Sequence, residues 1–217
     1  MTTHDHDVLR YRRNQRIVHA MLASSFVLLL LTGIFIVWPP ASFLAAGGYT
    51  RILHRIAAVV FMAVPVAYLI MDRRGAIELV VESFHYDRDD FRWLRQMYRY
   101  AAGHTREMPP QGRLNAGQKI HHAAVIVISA GVVGSGLILW WFKSSLGAGM
   151  LAWTAMIHDV SMLALTLLLI GHLFFTFTYD ALSGMTSGYV PEEEARLEHA
   201  KWVDSLARAG STTEDDS

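Results

Sequence analysis

Residues 153–179 read WTAMIHDVSMLALTLLLIGHLFFTFTY, an apolar stretch long enough to cross a bilayer as one helix, which takes about 20 residues. Two histidines interrupt it, His158 and His172. Fourteen residues of α-helix advance roughly 21 Å and bring the second imidazole back to within about 40° of the first. The two rings therefore share a face and stand near opposite surfaces of the membrane. An ionisable ring at that depth is costly unless satisfied, and points to function. On this helix alone two readings fit: axial ligation of two haem irons, a role histidine commonly fills, or hydrogen bonds to neighbouring helices.

Three more runs of similar length, 17–38, 52–71 and 120–142, hold much of the remaining apolar content of a 217-residue chain that is 53% hydrophobic. The pattern predicts an all-α integral membrane protein. It would be a four-transmembrane-helix bundle forming one domain over 1–217, with a loop at 72–119 and a tail at 180–217. Nineteen Lys and Arg balance nineteen Asp and Glu, so net charge is uninformative, but placement is not. Sixteen of the basic residues lie before the first run, between the second and third, or after the fourth, against Arg51, Arg55 and Lys143 on the other side. The positive-inside rule then places both termini and the 72–119 loop in the cytoplasm. Trp38, Trp140, Trp141 and Trp153 fall at the outer ends, where interfacial aromatics belong. There is no cysteine, which excludes disulfides, thiolate-held iron–sulfur clusters and c-type haem attachment. The N-terminus lacks a signal-peptide pattern, so the first helix is expected to remain as an anchor. No nucleic-acid partner is expected.

Residues 1–7, with His4, Asp5, His6 and Asp7 alternating, read as a solvated tail. His19 stands one turn inside the cytoplasmic end of the first run. Fourteen residues on, Gly33 admits either a flat bulky group or a closely packed helix. The second run enters from outside, so His54 lies near the outer surface between Arg51 and Arg55. Those guanidinium forks suit haem propionates or simple interfacial anchoring. Pro65 predicts a tolerated kink. In the third run His121 and His122 point about 100° apart, so at most one shares a site with His19 or His172. The small residues of 129–136 predict close approach of a helix or a haem. Depth alone pairs His19 with His172 at the inner level and His54 with His158 at the outer level, giving two bis-histidine sites and two haem b groups. Asp159, beside His158, could serve a propionate, water or a proton path, or have no special task at the interface. In the 72–119 loop, apolar and aromatic spacing predicts a cytoplasmic amphipathic helix on the inner face, with His85 and His104 solvated.

These residues resemble the di-haem cytochrome b (gamma) subunits of membrane-bound formate dehydrogenases, within the prokaryotic b-type cytochromes. The resemblance covers nearly the whole chain. It rests on RIVHAMLASSFVLLLLTG (16–33), LHRIAAVV (53–60), RLNAGQK (113–119), the histidine spacing of the fourth run, and GMTSGYV (184–190) with HAKW (199–202) in the tail. It implies haem ligation by His19 with His172 and by His54 with His158. It also implies a quinone, menaquinone or ubiquinone, bound on the cytoplasmic side by Asn115, Gly117 and Gln118 against the haem of His172. The implied partners are an iron–sulfur (beta) subunit on the outer face and, through it, a molybdenum- or tungsten-containing catalytic subunit. The implied setting is the lipid of a bacterial inner membrane, in a complex that can form a higher oligomer. The chain would then hold no catalytic residue of its own and act as the electron-transferring, quinone-reducing subunit of an oxidoreductase. The same wiring would serve the cytochrome b of a NiFe hydrogenase or another molybdoenzyme. A haem-free anchor whose histidines relay protons is the alternative of a different class. A stand-alone ferric or quinone reductase would need a donor site, and the chain has no nucleotide motif to supply one.

Overall fold

The computed structural model describes residues 7–179 and 181–214; residues 1–6, with His4, Asp5 and His6 of the expected tail, lie outside them. The order of elements is β1 (Asp7–Leu9), α1 (Arg13–Val37), a 3-10 turn (Pro39–Ala45), α2 (Tyr49–Met71), α3 (Arg73–Phe84), α4 (Arg88–Arg95) and α5 (Met97–Ala101). Then come α6 (Ala116–Trp141), α7 (Ala148–Thr178), α8 (Leu182–Ser187), β2 (Tyr189–Pro191) and α9 (Glu192–Glu214). Helices α1, α2, α6 and α7 are long and apolar enough to cross a membrane, and the chain is an all-α, multi-pass membrane protein. Each begins before the apolar run that announced it. Polar residues at an interface continue the backbone ladder while their side chains reach water.

The chain forms two compact units, one of residues 13–77 and 125–171, the other of residues up to 12, 78–124 and from 172 on. In the first, α1 and α2 pack along their length, with Phe26 and Phe61 ring centres 6.3 Å apart. Pro39 and Pro40 open the 3-10 turn after α1, and Gly48, at φ 80°, starts α2, a backbone setting that favours glycine. Helix α2 runs continuously through Pro65. Its end is tied down by Asp72, whose carboxylate accepts from the Gly75 N–H at 2.9 Å and from Asn14 Nδ2 at 3.2 Å. The small-residue stretch of α6 lies against α7: a Cβ on Gly131 would stand 3.1 Å from Ser161 Oγ.

In the second unit the loop expected to hold one amphipathic helix holds α4, α5 and most of α3. The division between α3 and α4 follows from a capping box. Asp87 accepts from the N–H groups of Asp89 and Asp90, while Asp90 accepts from the Asp87 N–H at 2.8 Å, so a helix must start there. Helix α4 buries Asp90 and Trp93 on one face. His85 and His104 are exposed, in keeping with solvated rings. Trp93 packs on Tyr100 (4.9 Å between ring centres), which stacks on Tyr179 (4.5 Å).

The tail is built into this unit. Strand β2 pairs antiparallel with β1, from Asp7 opposite Pro191 to Leu9 opposite Tyr189. The Gly188 carbonyl accepts from the N–H groups of Arg10 and Tyr11. Helix α9 is kinked at buried His199 (φ −139°, ψ 42°). That ring donates from Nδ1 to the Gly112 carbonyl at 2.8 Å, and Nε2 lies 3.2 Å from Arg10 Nη2. Because a carbonyl only accepts, the proton is on Nδ1 and Nε2 accepts from the arginine. Burial, then the Arg10 charge, pulls the imidazole pKa down to about 3.

This gives the tail a pH dependence. An unfolded histidine takes up its proton near pH 6.5 and the folded one only near 3, so the stabilisation is complete above 6.5 and declines as pH falls from there toward 3. The fluorescence difference between the chain and its Trp202→Phe variant, which isolates the indole stacked 4.7 Å from Arg10, should change across that interval. A His199→Gln chain should show a flatter profile.

Candidate functional site

Helices α2 and α7 each bring one histidine to the same cavity, of about 490 Å³, within the unit of residues 13–77 and 125–171. The ring centres of His54 and His158 lie 6.4 Å apart with planes at 66°. His54 Nδ1 is 2.8 Å from Thr32 Oγ1. His158 Nδ1 is 3.0 Å from the Val132 carbonyl and 3.2 Å from Ser135 Oγ. The carbonyl can only accept, so His158 carries its proton on Nδ1 and keeps a lone pair on Nε2.

The arrangement fits a metal centre of one kind. Imidazole nitrogens bind metals at about 2.0–2.1 Å, and a ring centre lies about 1.1 Å behind its nitrogen, so two rings trans on one metal sit roughly 6.3 Å apart. Among the described residues no three His, Asp or Glu side chains gather at one point. A metal held by two imidazoles must bring its other ligands with it, as haem iron does. Space is made by two glycines: a Cβ on Gly136 would stand 3.0 Å from His158 Cε1, and one on Gly33 3.7 Å from His54 Cε1. Arg51, Arg55, Lys143 and Asp159 line the same cavity, and Arg55 lies over the Trp140 ring at 5.2 Å. Thr32, Ser135 and Gly136 went unremarked as individuals in the sequence, because a small or hydroxyl residue in a membrane helix reads first as packing.

The other predicted positions are distributed as follows. His172 stacks on His121, ring centres 5.3 Å apart and planes at 19°, within the unit that starts α6 and ends α7. Of the adjacent pair, at most one of which was expected to share a site with His19 or His172, it is His121 that meets His172. His19 is exposed on α1. Asn115 and Gln118 form a reciprocal cap on α6. Gln118 Oε1 accepts from the Asn115 N–H at 3.1 Å, and Asn115 Oδ1 from the Gln118 N–H at 2.9 Å. Gly117 makes room for Trp93, whose Cη2 would stand 2.9 Å from an added Cβ. Lys119 Nζ bonds Asp90 Oδ2 at 2.7 Å, with only 12% and 2% of the side chains exposed. Arg113 pairs with Glu82, and Gln111 Oε1 accepts from the Ala116 N–H at 2.8 Å. The 111–119 segment is thus held by polar contacts on every side.

Beside it is a second cavity, of about 390 Å³, lined by Gln118, Tyr179, Glu198, Arg10 and His199 among others. Burial raises the Glu198 pKa against the hydrogen bond from Tyr100 (3.2 Å) and the Arg10 charge, and burial with the Glu198 charge raises that of Tyr100. Sequence patterning gave no sign of Glu198, which reads as one acid in a charged helix.

A family model described as prokaryotic cytochrome b561 matches residues 10–188. The chain is 25% identical over 202 residues to the formate dehydrogenase cytochrome b556(fdo) subunit of Escherichia coli (strain K12), covering 90% of this chain and 91% of that one. It is 23% identical over 214 residues to the nitrate-inducible formate dehydrogenase cytochrome b556(Fdn) subunit of the same strain, covering 95% of each. Similarity to the formate dehydrogenase cytochrome b556 subunit of Haemophilus influenzae is 21% over 209 residues, 92% of this chain and 84% of the relative.

The Asp90–Lys119 pair can be tested directly. Asp90→Ala leaves a buried ammonium without its counter-charge and should cost about 3 kcal/mol, read as a lower denaturation temperature. Adding Lys119→Met should recover the part due to the unpaired charge, leaving the cost of the lost Asp87–Asp90 capping box.

Proposed function

The chain belongs to the prokaryotic cytochrome b561 family, and from that premise we propose that it is the membrane-embedded cytochrome b subunit of a formate dehydrogenase complex, linking an iron–sulfur partner on the outer face to a quinone on the cytoplasmic side. The observation that carries this reading is the His54–His158 pair, two rings 6.4 Å apart with each Nδ1 hydrogen-bonded. Haem b held there would supply one-electron redox chemistry. The similarity to subunits named for formate dehydrogenase, over nearly their full length, supports the choice of complex. In this reading a molybdenum- or tungsten-containing subunit stands behind the iron–sulfur partner, and the assembly can form a higher oligomer.

His54 and His158 would hold one haem b, and Arg51 and Arg55, which line the same cavity, would suit its propionates. Histidine spacing in the sequence supports His19 and His172 as ligands of a second. Quinone contacts fall to Asn115, Gly117, Gln118 and His172. Each cap bond takes a carboxamide oxygen, so the carboxamide NH₂ is the group that would donate to a quinone carbonyl. Gln118, which also lines the cavity with Tyr179 and Glu198, is best supported for that donor. Similarity to bacterial formate dehydrogenase subunits supports a bacterial inner membrane, the distribution of basic residues supports cytoplasmic termini, and the whole chain acts as a single membrane domain.

A reduced-minus-oxidised spectrum with a pyridine haemochrome count tests this. Two b haems per chain are expected. His54→Ala and His158→Ala should lose the same one, His19→Ala should disturb the other, and His121→Ala should leave both. A folded wild-type chain without haem contradicts the reading. Gln118→Leu should retain both haems and lower quinone reduction about tenfold, the worth of one hydrogen bond of about 1.4 kcal/mol.

A further inference from the structure

We propose that Thr32 is a positioning residue for His54, whose hydroxyl oxygen holds the ring proton on Nδ1, keeps Nε2 as the ligating lone pair, and strengthens the ring as a donor to a metal. The inference rests on the haem reading above and goes beyond it.

The assignment follows from counting hydrogens. Thr32 is 3% exposed within α1. Its hydroxyl has one hydrogen, and two backbone carbonyls surround it, Leu28 at 2.6 Å and Leu29 at 3.2 Å. Carbonyls only accept, so the hydrogen is committed to the helix backbone, a common arrangement for Thr in a helix. The oxygen can then meet His54 Nδ1, 2.8 Å away, only as an acceptor. The tautomer is therefore set by the surroundings: N–H at Nδ1, lone pair at Nε2.

The two rings of the pair are held differently. His158 gives its Nδ1–H to a backbone carbonyl, Val132 at 3.0 Å, which no substitution removes. Ser135, whose hydrogen goes to Gly131 at 2.7 Å, adds a second acceptor at 3.2 Å. At His54 the closest acceptor is a side chain, so this is the ligand whose donor strength a single replacement can alter. An acceptor on the outer N–H makes an imidazole more basic. A more basic axial ligand favours the ferric ion, which lowers the reduction potential. Losing the Thr32 oxygen should therefore raise the potential of the haem between His54 and His158.

The test is a redox titration of purified chain with spectral resolution of its b haems, together with haem retention against apomyoglobin, for Thr32→Val, Thr32→Ser and Ser135→Ala. Thr32→Val should keep both haems, move one midpoint upward and leave the other in place, and weaken retention on the order of 10-fold or more. Thr32→Ser should return both quantities to wild type, and Ser135→Ala should change them little. If Thr32→Val does not accumulate, Thr32→Cys replaces the hydroxyl by a weak acceptor and carries the same expectation. A haem-loaded Thr32→Val or Thr32→Cys chain with wild-type potential and retention overturns the inference, as does an equal shift in Ser135→Ala. A wild-type chain that binds no haem overturns the proposed function instead.

Discussion

An imidazole placed in hydrocarbon must have each nitrogen accounted for, because nothing in lipid will hydrogen-bond the one left over. The unit formed by residues 13–77 and 125–171 meets that demand in a specific way. One nitrogen of His54 faces a hydroxyl whose hydrogen is already committed, and one nitrogen of His158 faces a main-chain carbonyl. Glycine at 136 lets the His158 ring lie against α6, and glycine at 33 leaves room beside His54. What remains is a cavity lined by two imidazoles and by Arg51 and Arg55, an environment that suits a flat, anionic, metal-bearing group.

The second unit solves a different problem. Its polar segments lie outside the apolar spans and must be ordered without a large hydrophobic core. Aromatic stacking around Tyr100, the nearly buried Asp90–Lys119 pair and the Trp93–Gly117 contact together fix the start of α6. The tail adds a clasp in which a neutral histidine accepts from an arginine across nearly the full length of the chain. Removing one member of such a set leaves a buried charge or an unsatisfied donor, which costs more than the pair contributes.

Much of this was legible in the sequence, and the limits have physical causes. Four apolar runs of membrane length gave the spans, and depth along them paired His54 with His158, because helix rise is regular enough to carry position through twenty residues. The small-residue stretch at 129–136 correctly announced close approach, through Gly131 and Gly136. The partners of the rings were not legible. Thr32 and Ser135 are unremarkable hydroxyls whose role depends on which helix lies opposite, and sequence periodicity does not fix rotation between helices. The capping box at Asp87 separated α3 from α4 within one expected amphipathic helix, a local signal outweighed by the longer apolar pattern. The β1–β2 pairing, with Asp7 opposite Pro191, and the Arg10–His199 clasp join the two ends of the described chain, beyond any local rule. Asn115, Gly117 and Gln118 were read as quinone contacts through resemblance; Asn115 and Gln118 form a helix cap, and the quinone contact is the part that is proposed.

The most direct test of the account is electron paramagnetic resonance of the oxidised, purified chain, with nitrogen couplings resolved on ¹⁵N-histidine-labelled protein. The account predicts a low-spin ferric haem with two axial imidazoles, each bearing an exchangeable proton on its remote nitrogen, and loss of that signal when His158 is replaced by alanine. A high-spin haem with a single imidazole at this site, or a signal indifferent to His158, would contradict it.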